Sequence, residues 1–440
     1  MERKVYPLPM KTADVAVETE VLIVGGGPAG CAAALAAARN GARTVLLEGT
    51  MSLGGMSTNG MVPTWCPFSD REKIIYRGIA EEIFTASREA LEFETESLYD
   101  WVPIDPEALK RIYDEKLHEA GVEVRFGTFV CAADVSDGRI RALFAADKAG
   151  LHAYVSSVYI DCTGDGDAAF YAGAKCVEGD GNGHVQAASL CFALSGVKEE
   201  HYRRHSLHGS QPESPVHAAC ADEAFPDISD SHLCSAPVKK GTVGFNAGHL
   251  WDVHTSDVKG LSDAMRDGRR KAYEYLCALK KYDAAAFGEA SLAETASLCG
   301  IRESRRVRGD YVLTAEDYLA RRSFPDEIGR NCYYLDIHMT AAERQATGIT
   351  PSRYAKGESH GIPYRCLVPQ GLKNLLTAGR CISTDRAVNG STRVMPVCLV
   401  TGEAAGTAAA MAVKKEDIDL HSLDVVALRR TLKENGCYFL

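Results

Sequence analysis

The chain has little that would let it hold nucleic acid, cross a membrane or carry a metal cluster. Its 440 residues include 49 Lys and Arg against 59 Asp and Glu, a formal net charge of -10. This acidic balance, with no basic block anywhere, excludes a phosphate-backbone surface as the main partner. No stretch of about 18 apolar residues is free of charge, and the basic residues near Met1 have no apolar segment behind them. The reading is a cytoplasmic protein with neither a membrane nor a nucleic acid among its partners. The fifteen cysteines contain no CxxC pair and no ferredoxin-type run; the closest, Cys162 with Cys176 and Cys220 with Cys234, stand fourteen apart. With no zinc or iron–sulfur signature, no metal is expected, and the thiols read as reduced and mostly buried.

What the chain does carry begins at residue 21, in "VLIVGGGPAGCAAALAAARNGARTVLLEGT". An apolar strand, Glu20 to Val24, runs directly into Gly25-x-Gly27-x-x-Gly30. Pro28 to Asn40 reads as an alanine-rich helix stopped by Gly41, and Arg43 to Leu47 as a second strand, together a parallel βαβ crossover. Gly25 permits the tight turn, Gly27 lets the backbone approach a pyrophosphate, and Gly30 seats the helix close on the sheet. Pro28 and Ala29 open a helix whose free N–H groups and positive end face the phosphates. Glu48, ending the second strand, is placed to accept hydrogen bonds from a ribose and to repel a 2′-phosphate. An ADP-containing dinucleotide is implied, with NAD and FAD both open at this point.

Three later stretches extend the reading. "MSLGGMSTNGMVPTW" brings Gly54, Gly55, Met56 and Ser57, a loop slight enough to run its backbone along a cofactor. "GVEVRFGTFV", which contains Val130, and "GRIRALFAA" read as strands of a small antiparallel sheet, and "AYVSSVYIDCTGDGDAAF" as a strand ending in the turn Thr163, Gly164, Asp165. Near the C-terminus, Leu372 to Ala378 reads as a strand ending at Gly379 and Arg380. Pro396 to about Val413 then reads as a helix whose interior Gly402 and Gly406 cost about 1 kcal/mol each against alanine and need a packing reason.

Together with "GIRESRRVRGDYVLTAEDYL", "YYLDIH" and "IPYRCLVPQGLKNLLTAGRCIS", these motifs resemble, in order, the FAD-dependent oxidoreductases of glutathione-reductase-like fold, and more narrowly the bacterial family related to fumarate reductase and succinate dehydrogenase flavoproteins. The resemblance implies an α/β chain with a Rossmann-like FAD-binding domain formed by residues 1–185 and 363–440, and an inserted α+β substrate domain over 186–362. It implies non-covalent FAD, since no histidine precedes His118 in the loop that would reach the isoalloxazine. The cofactor set is Gly25, Gly27, Pro28, Ala29, Gly30, Glu48, Gly54, Gly55, Met56, Ser57, Val130, Thr163, Gly164, Asp165, Gly379, Arg380, Met395, Pro396 and Val397; the helix beginning at the last three is implied to face the flavin.

Absences then narrow the chemistry. The Gly-Gly loop lacks the CxxxxC pair of disulfide reductases, and no second strand–GxGxxG–helix is present to bind a nicotinamide nucleotide. For catalysis, "IRESRRVR" sets Arg302 and Arg305 at near-helical spacing with Arg306 and Glu303, suited to an anionic or carbonyl oxygen. His338 of "DIH" reads as general acid/base with Asp336 beside it, and Arg393 precedes the flavin-facing helix. The expected function is hydride exchange between flavin N5 and a small polar metabolite. The alternatives are a C=C reductase of fumarate type fed by a redox partner protein, or an FAD-binding subunit of a larger electron-transfer assembly.

Overall fold

The protein is described by a computed structural model that covers residues 12–95, 97–204, 206–340, 343 and 352–440. It is a mixed α/β chain. The opening unit comprises β1 (Val15–Val24), α1 (Pro28–Arg39) and β2 (Thr44–Leu47). Residues 21–24 of β1 are buried without alternation, as a strand covered on both faces requires. β1 pairs in parallel with β2 on one side and with β6 (Gly150–Asp161) on the other, Val21 lying opposite both Thr44 and Val158.

Glu123–Arg125, here β3, departs from expectation. It follows a helix, Pro106–Glu119, that carries the chain back to the start of the sheet, so it joins β2 in parallel at the sheet edge. Only β4 (Phe129–Ser136) and β5 (Arg139–Asp147) form the antiparallel hairpin. β6 serves both parts: its first half pairs antiparallel with β5, and its last three residues pair in parallel with β11 (Leu375–Thr377).

A separate four-stranded antiparallel sheet has β8 (Leu233–Lys239), β9 (Thr242–Ala247), β7 (Phe192–Ser195) and β10 (Ser291–Thr295) in that order. The long amphipathic helix α2 (Val258–Tyr282) covers it, with Tyr275, Leu276 and Leu279 packed among Phe192, Leu194 and Phe245. The chain then returns: strands Glu327–Asn331 and His360–Pro363 pair, and Ile328 and Ile362 enter the same core as α1.

That core is closed by α3 (Met395–Ala412), which crosses α1 at backbone contact. A Cβ at Gly402 would lie 2.1 Å from the Ala29 carbonyl oxygen, and one at Gly406 would lie 2.1 Å from that of Ala33. The two interior glycines thus have their packing reason. By length and composition α3 is apolar enough to cross a bilayer, but it lies 94% buried inside the protein and carries Glu403. Among the described residues the cysteines form no disulfide, and only Cys131 and Cys220 are exposed.

Glu403 is buried and accepts a hydrogen bond from the Ile79 N–H at 2.8 Å. Loss of hydration pushes its pKa up from 4.5 to about 7, against the opposing pull of that hydrogen bond. The folded carboxyl therefore keeps its proton where the unfolded one has lost it. The stability this confers is full below about 4.5 and is lost as the pH rises through about 7. In thermal melts from pH 5 to 8, Glu403→Gln is expected to gain in Tm over the parent chain as pH rises; a constant difference would contradict the assignment. Gly406→Ala, which drives a methyl into the Ala33 carbonyl, is expected to cost about 2 to 3 kcal/mol in urea unfolding. Parental stability would contradict the close crossing.

Candidate functional site

The first half of the site is a cradle of backbone. Gly25 takes a φ of +96°, and a Cβ there would stand 2.6 Å from the Cys162 carbonyl oxygen. A Cβ at Gly30 would fall 1.8 Å from the Gly25 oxygen, so the helix can rest on the turn only as glycine. At Gly27, by contrast, an added Cβ meets nothing within 4 Å. Gly27 is the N-cap of α1 and offers no side-chain cap, with Pro28 and Ala29 in the first turn, so no side chain takes up the N–H groups of the helix end. Gly55 presses over this end, its would-be Cβ 2.9 Å from the Gly27 Cα, and Gly54 N–H donates to the Gly26 carbonyl at 2.8 Å. Ser57 fastens the loop by donating to the Gly54 carbonyl at 2.7 Å, with Met56 partly exposed beside it.

Glu48 is held ready at the rim. One carboxylate oxygen accepts from Gly26 N–H at 2.6 Å, and the other accepts from the N–H and hydroxyl of Thr50 at 2.6 and 2.7 Å. β4, with Val130, begins next to it, where Thr128 N–H donates to the Glu48 carbonyl at 3.1 Å. On the other side, buried Asp161 accepts from the N–H and hydroxyl of Thr163 and from Ala169 N–H, fixing the Thr163–Asp165 turn. Arg380 spans the gap, pairing with Asp165 at 2.6 Å and donating to the Ser304 hydroxyl at 2.6 Å. Gly379 lies directly against α1, its would-be Cβ 2.9 Å from that of Ala29.

Met395, Pro396 and Val397 form the first turn of α3, which likewise has no side-chain cap. Because Gly402 rides on Ala29 and Gly406 on Ala33, the two helices run parallel, and the first turn of α3 projects about 9 Å beyond that of α1. Two positive helix ends, a ring of glycine backbone and one fixed carboxylate are the donors and acceptor that a dinucleotide's diphosphate and ribose need.

The second half of the site is a cluster of ionisable side chains. "IRESRRVR" is extended here, not helical, ending in a two-residue strand, Arg306–Val307, so its arginines diverge. Arg305 turns to Asp167 at 2.8 Å and to the Asp165 carbonyl, and stacks on Phe170. Arg306 pairs with buried Glu303, which Arg386 also engages at 3.1 Å. Arg302 alone of the three faces His338. It is 6% exposed and donates to the Ala187 carbonyl at 2.7 Å, the Ser189 hydroxyl at 3.0 Å and the Asn246 side-chain oxygen at 3.3 Å. All three acceptors are neutral, and among the described residues no carboxylate pairs with it. Burial holds its pKa down to about 10, reinforced by the charge of Arg393.

His338 lies on an extended segment outside any sheet, with its backbone N–H donating to the Gln186 side chain at 3.3 Å and its carbonyl accepting from Ala187 N–H at 3.0 Å. Its Nε2 is 3.3 Å from Asp336, as the neighbouring position suggested. Asp336 also pairs with Arg393 at 3.0 Å and accepts from the Tyr333 hydroxyl at 3.1 Å, and Arg393 ends the short helix just before α3. Burial first, then the charge of Arg302, pushes His338 down to about 3, so the ring is neutral near pH 7.

His232 and His249 are residues that sequence reasoning missed. They flank the hairpin β8–β9, where Leu233 pairs with Ala247, and their rings stack at 4.4 Å. His249 Nε2 lies 2.8 Å from His338 Nδ1. Both ring nitrogens of His338 are thus engaged. In the sequence they are two histidines 17 residues apart, a separation that matches no local ligand motif.

Residues 20–432 match the family model described as FAD dependent oxidoreductase. A comparison with curated protein sequences gives no match. Among solved structures, an aromatic hydroxylase of angucycline biosynthesis, CabE, is similar over 95% of this chain and 68% of its own, at 14% identity and a TM-score of 0.49. The p-nitrophenol 4-monooxygenase PnpA of Pseudomonas putida DLL-E4 is similar over 96% of this chain and 87% of its own (13% identity, TM-score 0.46). A geranylgeranyl bacteriochlorophyll reductase-like protein of Thermoplasma acidophilum is similar over 96% and 93%, respectively (12% identity, TM-score 0.45). With the family match spanning nearly its whole length, this chain belongs to the FAD-dependent oxidoreductase family and is an enzyme whose cofactor is FAD.

Proposed function

We propose that the enzyme exchanges a hydride between flavin N5 and a small polar metabolite bearing an anionic or carbonyl oxygen. The observation that carries this reading is Arg302, a buried guanidinium satisfied only by neutral acceptors. A buried cation without a direct ion pair is costly, and Asp336 acts on Arg302 only through space while paired with Arg393 and His338, so a bound anion lowers that cost further. Arg393 is already neutralised by Asp336, so the charge left to spend on a ligand belongs to Arg302.

In this reading the chain has a Rossmann-like, glutathione-reductase-like FAD domain from residues 1–185 and 363–440, on which the strands Glu327–Asn331 and His360–Pro363 also pack, and the rest of residues 186–362 form the substrate domain that brings Arg302 and His338 to the cofactor. FAD is held without a covalent bond, its diphosphate on the first turn of α1 and Gly27, its ribose on Glu48, and its flavin end against the first turn of α3. Bound FAD supplies the two-electron chemistry at N5. Arg302 binds and polarises the substrate oxygen, while Asp336 and Arg393 hold the His338 ring in place. His338 moves the proton, exchanging its hydrogen bond to His249 for one to the substrate.

Gly27 separates cofactor binding from folding, because its missing side chain faces open space in the protein itself. Gly27→Ala is expected to melt like the parent apoprotein yet bind FAD about 10- to 100-fold more weakly in fluorescence-quenching titrations, a methyl being set against the diphosphate. Equal affinity would place the diphosphate elsewhere. Acid or heat denaturation should release all the flavin into the supernatant; flavin mass retained on the polypeptide would overturn non-covalent binding.

The substrate side is tested by anaerobic screening of reduced metabolites for bleaching of the visible flavin band. Arg302→Gln is expected to raise the concentration needed for half-maximal bleaching by at least about tenfold, while His338→Ala slows bleaching about 100-fold with little change in that concentration. Both variants should keep their FAD. If His338→Ala loses FAD as severely as rate, its role is structural.

A further inference from the structure

We propose that His232, His249 and His338 form a binding site for a borderline divalent transition-metal ion of the Zn2+ type. One nitrogen from each ring lies within 4.8 Å of the others. Ligands around a tetrahedral Zn2+ at about 2.0–2.1 Å stand about 3.4 Å apart. The separations therefore close by at most about 1.4 Å and the 2.8 Å pair, His249 Nε2 with His338 Nδ1, opens by about half an ångström, with the stacked His232 and His249 rings turning so that their nitrogens converge.

Three further features suit a metal. His232 and His249 are fixed by paired backbone, since Gly248 N–H donates to the His232 carbonyl at 2.7 Å, and the whole hairpin would have to move to separate them. Carboxylates stand behind two of the rings. Asp336 lies 3.3 Å from the outer nitrogen of His338, the outer-shell arrangement that orients a ligating imidazole, and Asp230 lies 3.1 Å from Nδ1 of His249 without a hydrogen bond to it. These two carboxylates also offset the nearby charges of Arg302 and Arg393. Nδ1 of His232 and Nδ1 of His249 are both buried without a hydrogen-bond partner, so the cluster holds ring nitrogens that nothing in the protein satisfies. If the outer carboxylates take the ring protons of His249 and His338, the two inner nitrogens present bare lone pairs to each other at 2.8 Å, an arrangement that a cation between them relieves.

An access route is present. A cavity of about 360 Å³ lined by His208, Asp230, His232 and His249 opens beside the cluster and would supply water as a fourth ligand. Three neutral imidazoles with an open position select Zn2+, Co2+ or Ni2+ over the hard, oxygen-seeking Mg2+ and Ca2+. The site rests on coordination geometry alone and stands whether or not the redox reading above is correct. Where that reading holds, a filled site withholds His338 from proton transfer.

The test uses the FAD-loaded full chain, stripped with chelator and titrated with Zn2+ by calorimetry and with Co2+ by visible absorption beyond the flavin band. One equivalent should bind, with the d–d bands of nitrogen-ligated Co2+, and Mg2+ should not compete. Asp230→Asn should weaken Zn2+ binding by about 10- to 100-fold, and His249→Gln and His232→Ala should weaken it more than that, each variant keeping the parental flavin spectrum as its check on folding. His217→Ala, distant from the triad in its contacts, should bind as the parent does. Absence of stoichiometric binding, or binding of equal strength in His249→Gln and His232→Ala, would overturn the site.

Discussion

The structure depends on the contact of two helix backbones. Where α3 crosses α1, no side chain intervenes at Gly402 or Gly406, and carbonyl oxygens of Ala29 and Ala33 occupy the space a Cβ would take. An approach this close fixes the relative position of the helices to within a fraction of an ångström, because any larger residue would force them apart. It also points their N-termini the same way, with the start of α3 about six residues beyond that of α1. Two uncapped, positive helix ends on the same side of the core, about 9 Å apart along their axes, suit an extended anionic ligand that reaches both. The crossing thus builds the packing of the core and the demand for an anionic cofactor in a single step.

From that crossing the remaining parts take their places. β6 carries the turn at Thr163–Asp165 to the rim of the cradle while continuing the parallel sheet, and Arg380 ties that turn to Ser304 in the segment that also presents Arg302. Arg393, just before α3, holds Asp336 and through it His338. The ionisable cluster is therefore anchored to the start of α3 by a short chain of ion pairs. Arg302 stands apart from this network in one respect: among the described residues it makes no ion pair, and Asp336 acts on its charge only through space.

The βαβ unit, Glu48 and the glycine helix were legible because each rests on short-range pattern: an apolar strand, a GxGxxG turn, a small-residue helix. What escaped depends on pairing between distant segments. Glu123–Arg125 has the composition of a hairpin strand, and only the helix preceding it returns it to the parallel edge. The near-helical spacing of Arg302, Arg305 and Arg306 was real as arithmetic. Yet Glu303 and Asp167 draw Arg306 and Arg305 aside, and the segment stays extended. The histidine cluster joins residues 17 and 89 positions apart across two segments, a juxtaposition that no local spacing encodes.

The most direct test of this account is amide hydrogen exchange of the apoprotein with and without FAD, read by mass spectrometry at peptide level. If the crossing sets both helix ends on one cofactor, residues 25–30, 54–58 and 394–398 should gain protection together, with the same FAD concentration dependence. Protection confined to the α1 end, with the first turn of α3 exchanging unchanged, would contradict it.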